Sequence, residues 1–227
     1  MIGFYNHSVI LTYISLASSV FGMTQAIHGR FKTAIFCLAL SGFCDMFDGK
    51  IARAMKNRSE DAKAFGIQID SLCDMVCFGA FPALICYLLG VQGILGIAVI
   101  VLYCTASVIR LGYFNVMESK NALVSEDGEK FYRGLPITSM AVALPLVFMV
   151  QFFVPNFVFR ILLYVILLLV GILFIVDFKV KKPKNSTLVV LVLVVAAALL
   201  IMLIFTRYPI RFRGGLLNGA ILKGGVH

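Results

Sequence analysis

Apolar residues in this chain gather into long runs separated by short polar stretches. Gly, Pro and charged residues punctuate the runs, which predict helices near 8–28, 31–55, 65–89, 92–116, 136–154, 158–177 and 187–205. Each is close to the roughly 20 residues a helix needs to cross a bilayer core about 30 Å thick. The connections are short except for 117–135, MESKNALVSEDGEKFYRGL, a polar stretch with room for a small interfacial helix. The expected fold is therefore all-α and polytopic: a six-helix transmembrane core with an additional C-terminal span.

Composition agrees with the pattern. The 227 residues are 61% hydrophobic and 14% charged, with a mean hydropathy of +0.99, which leaves too little polar surface to wet a soluble domain. The first run reads as a retained span, because a signal peptide needs a basic start and MIGFYNH has no Lys or Arg. The cysteines (Cys37, Cys44, Cys73, Cys77, Cys86 and Cys104) all fall inside predicted spans without metal-finger spacing. They read as small buried side chains. With His7, His28 and His227 as the only histidines, a zinc site has few ligands to draw on.

Charge placement orients the chain. Lys50, Arg53, Lys56, Arg58 and Lys63 follow the second run; Lys120, Lys130 and Arg133 follow the fourth; Lys179, Lys181, Lys182 and Lys184 follow the sixth. The opposite connections hold only Arg30, Lys32 and Arg160. Basic connections stay in the cytoplasm, so the N-terminus is expected inside. A simple seventh crossing would then put the basic tail 207–227 outside, against the same rule. The net charge of +9 needs no nucleic-acid partner, since anionic headgroups attract each membrane-flanking Lys or Arg by roughly 1 kcal/mol.

Against this apolar background residues 45–74 stand apart. Asp45 and Asp48 are three positions apart, and Asp70 and Asp74 four, so on helices each pair shares a face. Two antiparallel neighbours would point all four into one space. Intramembrane carboxylates are expensive, and four together repel one another. Cations must neutralise them, and hard oxygen donors suit Mg²⁺, Mn²⁺ or Ca²⁺ over zinc or copper. Two divalent ions would bring the group close to neutral, an arrangement common where phosphoryl groups react. The plain alternative is helix-end carboxylates in water, paired with Lys50, Arg53 and Lys56. It suits Asp48 but fails for Asp74, which lies among Leu72, Met75, Val76 and Phe78. Gly49, Ala52 and Gly66 leave room for a ligand near the backbone, or for close helix packing. Arg53 could present a fork to a phosphate.

These residues carry a resemblance. Asp45-Met-Phe-Asp48-Gly49-Lys-Ile-Ala52-Arg53, then Gly66-Ile-Gln-Ile-Asp70-Ser-Leu-Cys-Asp74, is similar to the signature of the CDP-alcohol phosphotransferase family, D-x2-D-G-x2-A-R and G-x3-D-x3-D. The spacer, Ala54 to Phe65, is longer than the family's pattern, which should lengthen a turn without moving the site. The resemblance implies an enzyme in which a CDP-linked lipid gives its phosphatidyl group to an alcohol and releases CMP. It implies that Asp45, Asp48, Asp70 and Asp74 hold Mg²⁺ or Mn²⁺, two ions in all, with Asp74 also acting as general base. Gly49, Ala52, Arg53 and Gly66 would line the CDP pocket, and Thr12 could touch the nucleotide. Residues 1–206 would form one transmembrane catalytic domain in the cytoplasmic membrane, facing the cytoplasm and followed by the tail. A homodimer is also implied.

The run Ile69-Asp70-Ser71-Leu-Cys-Asp74-Met-Val-Cys-Phe78-Gly79, with Pro82, resembles the phosphatidylserine synthase branch, as do Ile109-Arg110-Leu-Gly-Tyr-Phe114-Asn115 and Phe131-Tyr-Arg133-Gly134-Leu-Pro136. CDP-diacylglycerol as donor and L-serine as acceptor follow from that branch. Glycerol-3-phosphate and inositol phosphate are the alternative acceptors. Arg110, Ser71 and Arg133 are acceptor or phosphate candidates, each with a plainer use: Arg110 in pairing with an aspartate or snorkelling, Ser71 in bonding its own helix, Arg133 in a turn or headgroup contact. A divalent-cation transporter would spread acidic residues over several spans, whereas here they are confined to two.

Overall fold

The computed structural model describes residues 7–54, 59–119, 131–181 and 185–204. Among them are eight α-helices: α1 (His7–Ile27), α2 (Phe31–Ala54), α3 (Glu60–Asp74), α4 (Phe81–Leu88), α5 (Gly93–Ser119), α6 (Met140–Val150), α7 (Asn156–Ile175) and α8 (Asn185–Ile204). Each apolar run identified in the sequence contains a helix, although the fifth, 136–154, is α-helical only over Met140–Val150, after a 3-10 turn at Ile137–Ser139. The third begins earlier than its apolar stretch, at Glu60, for a local reason. Ser59 caps it, accepting the Ala62 N–H at 3.2 Å, and Glu60 and Asp61 place negative charge at the positive end of the helix. From Glu60 to Leu88 the chain then runs as one continuous span, α3 joined to α4 through a π-helical segment, Met75–Ala80.

The turns are built for tight reversal. After α1, Gly29 takes φ 75°, the Arg30 N–H bonds the Gln25 carbonyl at 2.8 Å and the Gly29 N–H bonds that of Ala26 at 2.9 Å. Glycine enters this left-handed conformation without steric cost, so α2 starts within a few residues and returns along α1. Gly90 ends α4 in the same way, with φ 118° and the Val91 N–H bonded to the Cys86 carbonyl at 3.0 Å.

Among the described residues, four helical segments are by themselves long and apolar enough to cross a membrane: Val9–Ile27, Glu60–Leu88, Gly93–Met117 and Asn156–Ile175. Ile137–Val150 and Val190–Leu203 are apolar but shorter. Helix α2 is long, but its last turns carry Asp45, Asp48, Lys50 and Arg53. Ile94, Leu95, Leu102, Phe157 and Ile172 stand exposed on α5 and α7, a surface suited to lipid and not to water. The chain is an integral membrane protein.

Helix α1 packs along α2 and also against α3 and α4; α2 meets α6, α5 meets α7, and α8 lies on α6 and α2. Phe78, Phe81, Phe148, Phe159, Leu38 and Leu163 fill the interior. Gly42 permits the close approach of α2 to α6, since a Cβ there would lie 2.5 Å from the Ala141 Cβ. Small residues at such crossings let helices gain dispersion contacts that lipid tails would otherwise satisfy.

The long polar connection, 117–135, is described in part. Its described end, Phe131–Arg133, is a strand (β1) paired antiparallel with Lys179–Lys181 (β2), with Phe131 opposite Lys181 and Arg133 opposite Lys179. Residues 120–130, the middle of the 117–135 stretch with room for an interfacial helix, lie outside the described residues, as does the tail from 205 onward.

Candidate active site

Asp45 of α2 converges with Asp70 and Asp74 of α3 beside α1, which packs against both helices. One carboxylate oxygen each from Asp45, Asp70 and Asp74 lies within 4.8 Å of the other two, and all three residues are half-buried. Asp45 and Asp74 are close enough to share a hydrogen bond. The geometry follows from the spacing: a four-residue step on α3 brings Asp70 and Asp74 to one side, and Asp45 on α2 faces them. Like charges this close call for a proton or a cation between them.

Asp48, one turn beyond Asp45, falls outside that group. It is 4% exposed, and its Oδ2 accepts the hydroxyl of Thr12 at 2.8 Å. Thr12, itself buried on α1, thus joins the site through a carboxylate. The hydrogen-bonding partner was not legible in the sequence, because Thr12 and Asp48 are brought together only by the α1–α2 pairing.

That pairing is itself polar. The Ser15 hydroxyl donates to the Ser41 carbonyl at 3.1 Å, and the Ser41 hydroxyl donates back to the Ser15 carbonyl at 2.6 Å. Ser19 lies 2.6 Å from the Ser41 hydroxyl, and Ser18 donates to the Cys37 carbonyl at 3.1 Å. Reciprocal bonds of this kind set the axial register of α1 against α2, and with it the meeting of Thr12 and Asp48 one turn away. None of these serines was singled out by the sequence pattern.

The remaining candidates occupy different places. Ser71, next to Asp70, donates to the Asn115 Oδ1 at 2.8 Å and so ties α3 to α5. Arg110 is 5% exposed on α5; its Nε donates to the Leu135 carbonyl at 2.9 Å and its guanidinium lies 5.5 Å from the centre of the Phe114 ring. It also borders a groove lined by Tyr113, Phe174 and Asp177. Gly49 and Ala52 are half-buried on α2 and Gly66 on α3. The side chains of Arg53 and Arg133 lie outside the described residues, although their backbones belong to α2 and β1. Lys50, considered as an aspartate partner, extends its ammonium over the Phe47 ring at 5.3 Å.

Three convergent carboxylate oxygens form a donor set that fits a hard divalent cation. A bundle of membrane helices, two of which contribute such a group, defines a carboxylate-lined site in an integral membrane protein. The chain belongs to the CDP-alcohol phosphatidyltransferase family, whose model matches residues 5–211. It is 34% identical over 115 residues to the CDP-diacylglycerol–serine O-phosphatidyltransferase of Saccharomyces cerevisiae, covering 49% of this chain and 40% of that protein. It is 34% identical over 132 residues to the Helicobacter pylori protein of the same name, covering 56% and 52%. To the archaetidylserine synthase of Methanothermobacter thermautotrophicus it is 29% identical over 145 residues, 63% of this chain and 58% of that one. The chain thus spans about half the length of the relatives it matches.

Proposed function

We propose that the protein transfers the phosphatidyl group of CDP-diacylglycerol to the hydroxyl of L-serine, giving phosphatidylserine and CMP. The observation that carries this reading is the convergence of Asp45, Asp70 and Asp74 within a family signature. The names of the matched relatives favour serine as acceptor.

Asp45, Asp70 and Asp74 would hold Mg²⁺ or Mn²⁺, with Asp48 completing a set for two ions under the aim of Thr12. Bound divalent cations supply charge neutralisation at the pyrophosphate and stabilise the departing phosphate. Gly49, Ala52, Arg53 and Gly66 would admit the CDP moiety. Asp74 accepts the proton of the serine hydroxyl as its oxygen bonds the phosphatidyl phosphorus. The bond from that phosphorus to the CMP oxygen breaks, and CMP leaves with the electron pair. Ser71 and Asn115 stand beside Asp70 at the α3–α5 seam, where an acceptor would bind, and Arg110 offers a buried cation for a carboxylate or phosphate. The acidic end of α2 adjoins the basic residues Lys50, Arg53, Lys56 and Arg58, which supports a site facing the cytoplasm of the cell membrane, where CDP-lipids and serine meet. A homodimer organised as one transmembrane domain per chain is part of the same reading.

The test uses purified protein in mixed micelles with CDP-diacylglycerol, Mn²⁺ or Mg²⁺, and radiolabelled serine, glycerol-3-phosphate or inositol phosphate. Label entering lipid from serine, with matching CMP release, is expected. Incorporation from glycerol-3-phosphate but not serine would overturn the acceptor, and cation flux into proteoliposomes without CMP release would overturn the reaction.

A further inference from the structure

The span that carries Asp70 and Asp74 is not one uniform α-helix. Directly after Asp74 the backbone widens into the π-helical segment, in which the Phe81 N–H reaches back to the Val76 carbonyl. A π turn holds one residue more than an α turn, so it rotates everything downstream by about 100° relative to Asp70 and Asp74. Pro82 follows at once. In an α-helix each carbonyl is bonded by the residue four positions on, and for Phe78 that residue is Pro82, which has no N–H. Within a membrane a carbonyl deprived of its partner must find another donor.

The Tyr103 hydroxyl, reaching across from α5, donates to the Phe78 carbonyl. Tyr103 is 1% exposed, and its ring is held against Phe174 of α7 with centroids 5.9 Å apart. The Ser107 hydroxyl in turn bonds the Tyr103 carbonyl at 2.9 Å. Inside the turn, Gly79 makes room for Met75 to fold back: a Cβ there would lie 2.7 Å from the Met75 Sδ. Helix α5 thus supplies a side-chain donor to this carbonyl, one turn beyond Asp74.

We propose that Tyr103 is a positioning residue for Asp74: its bond to the Phe78 carbonyl holds the π turn that aims Asp74 at Asp45. The inference rests on the reading of the three carboxylates as the reaction centre. Tyr103→Phe keeps the ring and deletes the hydroxyl. Its expected effects are a fall of about tenfold in kcat for CMP release with KM for serine within about twofold, a rise of about tenfold in the Kd for Mn²⁺, and a lower Tm in detergent. Pro82→Ala returns an N–H four positions after Phe78. Added to Tyr103→Phe it recovers most of the lost Tm and at least half of the lost kcat, whereas alone it moves both little.

Unchanged Mn²⁺ affinity in Tyr103→Phe, or melting shifts that simply add in the double variant, would overturn the proposal. Should Tyr103→Phe alone yield no folded protein, recovery of folded protein in the double variant is the expected result, and failure to recover counts against the role. The melting and Mn²⁺ arms need no turnover, so an inactive wild type would count against the proposed reaction and not against Tyr103.

Discussion

Where α1 meets α2 a ladder of hydroxyls is buried among apolar contacts: Ser15, Ser19 and Ser41 bond each other and the backbone, and Thr12 bonds Asp48. Where α7 faces the interior they are Phe159, Leu163, Leu167, Val170 and Phe174. The contrast follows from what each seam must do. Apolar side chains pack about as well against lipid tails as against each other, so they hold helices together without insisting on one register. Hydrogen bonds inside a membrane are directional, and a slip of one residue would orphan several polar groups. The half of the bundle that must align carboxylates from separate helices uses bonds that fail when misaligned. The other half supplies bulk.

Substitutions can break or sharpen this contrast. The largest effect belongs to Asp74→Asn, expected to lower the rate of phosphatidyl transfer by about 10² to 10⁴-fold while leaving the melting temperature near that of wild type. In the apolar half, Leu163→Ala should cost about 2–5 kcal/mol of stability through the cavity it leaves, with activity per folded molecule retained. Denaturation in mixed micelles beside a rate assay separates the two behaviours.

A smaller effect is expected at the polar seam. Thr12→Val keeps the shape but leaves the Asp48 Oδ2 without that donor, so kcat should drop by about tenfold while Thr12→Ser stays near wild type. Equal loss in both variants would point to the methyl group and packing instead. The smallest belongs to Leu95→Ala, at a residue 70% exposed on the lipid side of α5, expected to change stability by no more than about 0.5 kcal/mol.

Much of this was legible in the chain itself. Hydropathy located the helices, because a bilayer imposes one length and one composition on whatever crosses it. The four-residue step from Asp70 to Asp74 put both on one side of α3, because helical geometry leaves no choice about which side they share, whereas the three-residue step from Asp45 did not carry Asp48 into the same group. What was not legible depends on partners distant in sequence. The π turn after Asp74 is bonded by Tyr103, and nothing in a local window shows that a hydroxyl on α5 will reach Phe78. The diversion of Asp48 to Thr12 needs the register of α1, and the β1–β2 pairing joins connections that are separated by two helices. The start of α3 at Ser59 was a capping signal hidden by the polar residues that carry it.

The account stands on Asp45, Asp70 and Asp74 acting as one cation site, and Mn²⁺ titration followed by electron paramagnetic resonance addresses that directly. Asp45→Asn, on α2, and Asp70→Asn and Asp74→Asn, on α3, should each weaken Mn²⁺ binding by at least about tenfold. Wild-type affinity in any one of the three variants would contradict a site shared between the two helices.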